Sequence, residues 1–444
     1  MSGVGDWRAE VAADPRRVVI VDDDPTGTQT VSGVRVVLRV DRAAFDDFFA
    51  SPQRSLFVLS NTRALRRDDA AALVTRVADT VRAAASAAGT DATLLLRGDS
   101  TLRGHVFTET DAVDAEAPVL LAPALPEAGR HTRDGVHYLR RDGVDVPVAD
   151  TEFARDPVFG YRSSRLADWV AEVSGGARRG IEVPLSRQVD APDAVAAALR
   201  GAAAGDVVLP DAASSADIAA IAAGLVRAER AGCRVVVRCA ASLAAARAGV
   251  KGKEISRVAI PPPGRLLVCC GSFTAASSQQ VRALGALWER RVEIPVDAAG
   301  GVDPATVAAL TAAVRAEIHA NGRALLATPR ARATADSSDV SETDGFMDTL
   351  VAVVAGLRAD IDGVIAKGGI TGARLARDAL GAAAADVVGQ PATGVPLWQL
   401  PPVAGSRPLP YVIVPGNVGD DGTIARLLDQ ITAAPSAPAA EVAP

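Results

Sequence analysis

Short runs of consecutive apolar residues recur along this chain, and most of them give way to a turn rich in Gly, Asp, Ser or Thr. Val18-Val19-Ile20-Val21 passes into Asp22-Asp23-Asp24-Pro25-Thr26-Gly27-Thr28, and Leu56-Phe57-Val58-Leu59 into Ser60-Asn61-Thr62-Arg63. Thr93-Leu94-Leu95-Leu96 passes into Arg97-Gly98-Asp99-Ser100-Thr101-Leu102-Arg103-Gly104, and Val119-Leu120-Leu121 into a turn ending at Arg130. Val207-Val208-Leu209 and Val235-Val236-Val237 continue the series. Apolar runs bounded by turn residues predict buried strands. Between them, Ala-rich stretches over residues 68–88, 193–204 and 215–231 carry apolar positions at helical spacing. Strands alternating with helices predict an α/β fold with mostly parallel sheets.

Two features break this rhythm. Over residues 130–164, Val136-His137-Tyr138-Leu139 and Val144-Asp145-Val146-Pro147 flank Asp142-Gly143, a hairpin signal. Residues 249–263 end in Pro261-Pro262-Pro263-Gly264, which reads as a stiff linker. A second strand series follows it. Leu266-Leu267-Val268 leads to Cys270-Gly271-Ser272-Phe273-Thr274, and Ala324-Leu325-Leu326 to Thr328-Pro329. Gly363-Val364-Ile365 leads to Lys367-Gly368-Gly369-Ile370-Thr371, and Tyr411-Val412-Ile413-Val414 to Pro415-Gly416-Asn417. The expected division is a first domain over 1–258, a second over 259–432 and an Ala/Pro-rich disordered tail over 433–444. An active cleft is expected between the two domains.

Length and composition narrow the function. At 444 residues, 49% of them apolar, the chain can fill two cores. A formal charge of −6 without a basic stripe argues against a nucleic-acid partner. No 18-residue uncharged apolar run predicts a membrane span, and the first ten residues lack a secretory apolar region, so a cytoplasmic location is expected. Cys233, Cys239, Cys269 and Cys270 show no metal-binding spacing and read as buried thiols. His105 directly follows the Arg97–Gly104 octet, where a pocket-lining and a packing role are both open. Only Lys251, Lys253 and Lys367 are lysines among 47 basic residues, which sets Lys367 apart at a strand end.

The octet holds the densest chemistry. Open α/β sheets bind ligands beyond the carboxyl ends of their strands. There, two arginines can clamp a small carboxylate, and an aspartate can take a proton from a hydroxyl. The glycines of Lys367-Gly368-Gly369-Ile370-Thr371-Gly372 would let backbone N–H groups approach a phosphate, although the spacing is not that of a P-loop. Gly271-Ser272 and Gly416-Asn417 occupy equivalent strand ends. The adjacent carboxylates Asp22, Asp23 and Asp24 call for a cation, an arginine or a shared proton.

With these residues in view, the chain resembles the four-carbon acid sugar kinase family. The likeness rests on Asp23-Asp24-Pro25-Thr26-Gly27, Asn61-Thr62-Arg63, the octet, Pro126-Glu127-Ala128-Gly129-Arg130 and Thr151-Glu152-Phe153-Ala154-Arg155-Asp156-Pro157. In the second half it rests on Gly271-Ser272, Gly368-Gly369-Ile370-Thr371 and Pro415-Gly416-Asn417. Pro25, Arg97 and Gly372 depart from the family pattern, which leaves the particular acid open. The resemblance implies phosphorylation of a sugar acid such as threonate, erythronate or an oxo-tetronate, with ATP and Mg²⁺. The acid would sit on the first domain and ATP on the second. Arg63 with Arg103 or Arg97 would hold the carboxylate, and Ser100 and Thr101 would add hydroxyl contacts. Asp99 would orient or deprotonate the reacting hydroxyl, with Asp23 and Asp24 as rivals for that role or as hydroxyl binders. Ser272, Lys367, Gly368, Gly369, Ile370, Thr371, Gly416 and Asn417 would bind the nucleotide.

Two other readings compete. Asp22-x-Asp24-x-Thr26, with Lys367 and Asp420-Asp421, fits a haloacid-dehalogenase-like phosphatase. A non-catalytic sugar-acid-binding protein would use the same arginines. A homodimer is the candidate assembly.

Overall fold

A computed structural model describes residues 4–24, 27–185, 190–330, 340–402, 407–416 and 418–433. The chain divides into two compact units, one ending at Lys251 and the other beginning at Gly252.

The first unit holds eleven strands among its described residues: β1 (Arg17–Asp22), β2 (Val34–Val37), β3 (Ser55–Leu59), β4 (Ala92–Arg97), β5 (Val119–Ala122), β6 (Arg130–Arg133), β7 (Val136–Arg141), β8 (Val144–Pro147), β9 (Gly180–Val183), β10 (Val207–Pro210) and β11 (Val236–Cys239). Eight of them form a parallel sheet in the order β2-β3-β1-β4-β11-β5-β10-β9. After β1 the chain builds β2 and β3 on one side and then crosses to β4 on the other, so the strand order reverses beside β1. The reversal opens a crevice at the carboxyl ends of these strands. Helices Arg67–Ala87, Ala191–Gly201 and Ser215–Arg230 lie where apolar periodicity places them. Val74, Val77 and Val81 of the first helix join Val19, Val21, Val58 and Leu96 of the strands in one core.

The irregular stretch is an antiparallel β6-β7-β8 meander. Asp142 and Gly143 take φ of 49° and 80°, the left-handed pair that a tight hairpin turn requires. The root of the meander is fixed to the end of β10, where the Asp211 carboxylate accepts both the Asp134 and Gly135 amides at 3.0 Å.

The second unit contains β12 (Val258–Ile260), β13 (Leu266–Cys270), β14 (Val292–Glu293), β15 (Arg323–Ala327), β16 (Gly363–Lys367), β17 (Ala384–Ala392), β18 (Val395–Leu400), β19 (Leu409–Val414) and β20 (Ile431–Ala433). Its sheet runs β14-β15-β13-β16-β19-β18-β17, parallel as far as β19 and antiparallel beyond it. The order reverses beside β13, which places a second crevice at the ends of β13 and β16.

The stretch expected to be a linker is docked on this unit. Ile255 N donates to Gln390 O and Gln390 N to Lys253 O, both at 2.8 Å, and β12 pairs with β20. Residues 434–444, expected to be disordered, lie outside the described residues. All four cysteines are free, and three are buried. Among the described residues, no helix is long and apolar enough to cross a membrane.

Candidate functional site

In the first unit, the candidate residues gather at the carboxyl ends of four adjacent strands, β3, β1, β4 and β11. Asp22 ends β1, and its Oδ1 accepts Arg97 Nη1 from the neighbouring end of β4 at 2.8 Å. Asp23 accepts Arg63 Nη2 on one oxygen at 2.6 Å and Arg238 Nη2 on the other at 2.8 Å. Asp24 pairs with Arg63 Nη1 at 3.2 Å. Arginines therefore relieve the crowded acidic triplet.

Arg97 and Asp23, both read from the sequence as substrate binders, are engaged in ion pairs within the first unit. Arg97 is 9% exposed and engaged with Asp22, so it underpins the turn. Asp23 is 1% exposed with both oxygens bonded to guanidinium groups, so it fixes Arg63. Asp24 keeps a side-chain exposure of 26%. Burial, opposed by Arg97, pushes the Asp22 carboxyl up to about 6. The phosphatase reading would need this buried, arginine-paired carboxylate as its nucleophile. Asp420, its other acid, is occupied at the start of helix Thr423–Gln430, accepting Gly422 N at 3.1 Å and Arg426 Nη2 at 2.6 Å.

The octet turn is tightly determined. Leu102 is held at φ 70° with 4% exposure, an expensive conformation for a non-glycine residue, sustained by its buried side chain. Asp99 Oδ2 accepts Arg103 Nε at 2.7 Å and also the Thr101 hydroxyl. Burial alone would raise the Asp99 carboxyl. The Arg63 and Arg103 charges, with the Thr101 and Arg103 hydrogen bonds, instead hold it well below the ordinary carboxylate range. Arg103 reaches Asp156 at 3.6 Å and lies over the Phe153 ring at 4.9 Å, so the 151–157 segment sets its orientation. Ser100 is half-buried, and His137 of the meander donates to its carbonyl at 2.8 Å. His105 bonds the Leu65 carbonyl at 2.8 Å and packs edge-on to Phe159, a structural role.

Arg238 escaped the sequence reading. It lies on β11 with 2% exposure, paired with Glu109 and with Asp23. A Cβ at Gly98 would collide with its guanidinium, which gives the octet's first glycine a steric reason. One arginine in an arginine-rich chain carries no sequence signal of its own.

In the second unit, the three expected glycine turns lie side by side, because β13, β16 and β19 are neighbours. Thr274 Oγ1 donates to the Gly416 carbonyl at 3.0 Å, and Ser277 Oγ lies 3.2 Å from the same carbonyl and 2.8 Å from Ser272 Oγ. Gly368 N donates to Val414 O at 2.8 Å. Side chains are excluded where the turns meet. A Cβ at Gly271 would strike Thr371 Oγ1, and one at Gly368, where φ is 114°, would lie 2.8 Å from the same atom. Exposed backbone at such a junction suits close approach of an anion.

Lys367 is the last residue of β16. It is fully buried, and its ammonium donates to the Pro415 carbonyl at 2.6 Å, tying the β16 turn to the β19 turn. Burial lowers it to about 8. Thr371 is likewise buried, whereas Ile370 is 49% exposed beside Gly369. Asn417 lies outside the described residues. Arg330, also unforeseen, sits 3% exposed beneath the Gly271-Ser272 turn and donates to the Ser272 carbonyl at 2.7 Å. No group of three or more His, Cys, Asp or Glu side chains suited to a metal occurs among the described residues.

Comparison with known proteins follows the same division. Residues 18–247 match the model of a sugar-binding N-terminal domain, and residues 267–424 that of a nucleotide-binding C-terminal domain. A D-threonate kinase of Salmonella typhimurium is 38% identical over 76 residues, 16% of this chain and 17% of that protein's length. Haemophilus influenzae protein HI1011 shares the fold with a TM-score of 0.64 at 18% identity, covering 93% of this chain and 99% of its own. A Salmonella typhimurium LT2 protein provisionally assigned as a tRNA synthase gives 0.68 at 17% identity, covering 93% and 98%. At such identities these two structures speak for the fold alone. The octet beside β1, the glycine turns beside β13 and the paired domain matches together place this chain in the four-carbon acid sugar kinase family.

Proposed function

We propose that the protein is a kinase that transfers the γ-phosphoryl group of ATP to a hydroxyl of a four-carbon sugar acid. The observation that carries this reading is the octet, where an ionised Asp99 is held by Arg103 and Thr101 at a strand-order reversal. A sugar acid offers a carboxylate for guanidinium groups and a hydroxyl for Asp99. The kinship with a D-threonate kinase, short as the match is, points to the same substrate class.

Phosphoryl transfer draws on positioning and charge stabilisation more than on covalent help from the protein. Asp99 is a weak base in this setting, suited to orienting the hydroxyl and accepting its proton late, as the bond to phosphorus forms. Arg63 and Arg103 supply positive charge around the acid. In the second unit, the Ser272, Gly368–Thr371 and Gly416 turns would cradle the nucleotide phosphates, with Lys367 and Arg330 setting the shape of the turns. Mg²⁺ would enter with the nucleotide's own phosphates.

The test is to incubate the purified protein with ATP, Mg²⁺ and a panel of four-carbon sugar acids while following ADP. ADP release that depends on one acid, with a phosphorylated acid as product, is the expected result. Phosphate release from sugar phosphates without ATP would restore the phosphatase reading, and binding without turnover would leave a sensor.

A further inference from the structure

Four arginines around the octet are already committed to carboxylates. Arg97 is on Asp22, Arg63 on Asp23 and Asp24, Arg238 on Asp23 and Glu109, and Arg103 on Asp99 and Asp156. Arg130, the first residue of β6, differs from all of them. Among the described residues it makes no ion pair, although every Asp and Glu of the first unit is described. Its Nη1 donates to the Ala128 carbonyl at 2.5 Å, and its buried Nε has no partner. Burial is the main influence on its charge and disfavours it, with the Asp99 carboxylate acting in the opposite sense. A half-buried guanidinium without a counter-ion is costly by itself, and a planar fork of donors matches a carboxylate.

We propose that Arg130 anchors the carboxylate of the sugar acid, while Asp99 receives its reacting hydroxyl. This inference rests on the kinase reading. Arg130 is held in place on both sides. Its amide and carbonyl exchange hydrogen bonds with Leu125 at 3.0 and 2.9 Å, and it pairs with Leu139 of β7. Two positions further along β6, Thr132 bonds His137 at 2.9 Å, and His137 in turn bonds the Ser100 carbonyl. The octet and the root of the meander are thereby joined, so the anchor and Asp99 keep a set spacing. That spacing would select acids by the distance from carboxylate to reacting hydroxyl. The meander would then be the wall that reads the acid.

The test measures binding of D-threonate, the neutral polyol threitol and ATP to the full-length protein by calorimetry, for wild type, Arg130→Met and Arg130→Lys. Arg130→Met is expected to weaken D-threonate binding by roughly 10- to 100-fold. Threitol and ATP binding should stay unchanged, and Arg130→Lys should recover part of the loss. A wild type that binds D-threonate, beside an Arg130→Met variant that binds it equally well, overturns the anchor alone. Equal loss for D-threonate and threitol also overturns it, since the defect would then be structural. If Arg130→Met does not fold, Arg130→Lys decides, because undiminished preference for threonate over threitol in that variant counts against a bidentate contact. A wild type that binds no four-carbon sugar acid while binding ATP overturns the acid-kinase reading and the anchor together.

Discussion

The two arginines beside Asp99 would weaken it in the proposed role of base. Arg63 and Arg103 hold its carboxyl well below the ordinary range, so the group is ionised across the physiological span and gains a proton only against that field. This suits a reaction in which the hydroxyl proton leaves after phosphorus–oxygen bonding has begun. Asp99→Asn preserves the shape and the Arg103 and Thr101 contacts but removes the acceptor. The turnover number is expected to fall by about 10²–10⁴-fold while the Kd for ATP stays constant. Asp24 is the remaining rival, because Asp22 and Asp23 are buried and paired with arginines. Parallel kinetics of Asp24→Asn settle the matter, and near-normal turnover in Asp99→Asn with a dead Asp24→Asn would move the base to the first turn. Legibility at this scale was uneven. The octet and the acidic triplet stood out by local density of charge, but which carboxylate meets which arginine depends on strand neighbours far apart in sequence. Arg238 lies 215 positions from Asp23, and no local pattern announces the contact.

At the scale of elements, the meander is joined to the octet through a single imidazole. His137 is fully buried between the Thr132 hydroxyl at 2.9 Å and the Ser100 carbonyl at 2.8 Å. The carbonyl requires a proton on Nε2, leaving Nδ1 to accept from Thr132, so the ring is neutral in this arrangement. Burial pushes it down from an ordinary 6.5 to about 4, against the pull of the Ser100 bond. Its contribution to stability is therefore complete above pH 6.5 and is lost as pH falls toward 4, on the order of 3 kcal/mol in all. Asp22, raised to about 6 by burial, has the opposite sign over nearly the same interval, because the folded state binds its proton more tightly. The wild-type profile is thus flattened by cancellation. Urea midpoints measured from pH 7 to pH 4 should show His137→Gln gaining stability, relative to wild type, as the pH falls. Parallel profiles for the two proteins would mean that folding leaves the His137 pKa where it is in the unfolded chain. The elements themselves were largely readable, since fully buried parallel strands appear as uninterrupted apolar runs. Several that escaped are short or irregular. Val34–Val37 and Gly180–Val183 are four-residue strands at the ends of the first unit's sheet order, and Ala384–Ala392 carries register shifts around Gly389. The glycine turns were legible as separate motifs, while their adjacency required the strand order β13-β16-β19.

For the molecule as a whole, each compact unit has its own core and its own crevice at a strand-order reversal. A ligand that binds only the folded state of one unit stabilises that unit by mass action, about 2.7 kcal/mol at a concentration a hundredfold above Kd. For a unit of around 200 residues this corresponds to a midpoint shift of roughly 5–10 °C. D-threonate should therefore raise the unfolding of the first unit, and ATP with Mg²⁺ that of the second. Scanning calorimetry of the full-length protein would register the shifts, and hydrogen exchange would assign them. The acid should slow exchange at amides of the octet and of the first-strand turn, and the nucleotide should do so at those following Cys270, Lys367 and Val414. Arg97→Met provides the internal control. It leaves Asp22 buried without its partner, so the first unit should lose stability by about 3–5 kcal/mol while the ATP-linked shift of the second unit persists. Protection by both ligands at the same set of strand ends would contradict the proposed division of labour between the units.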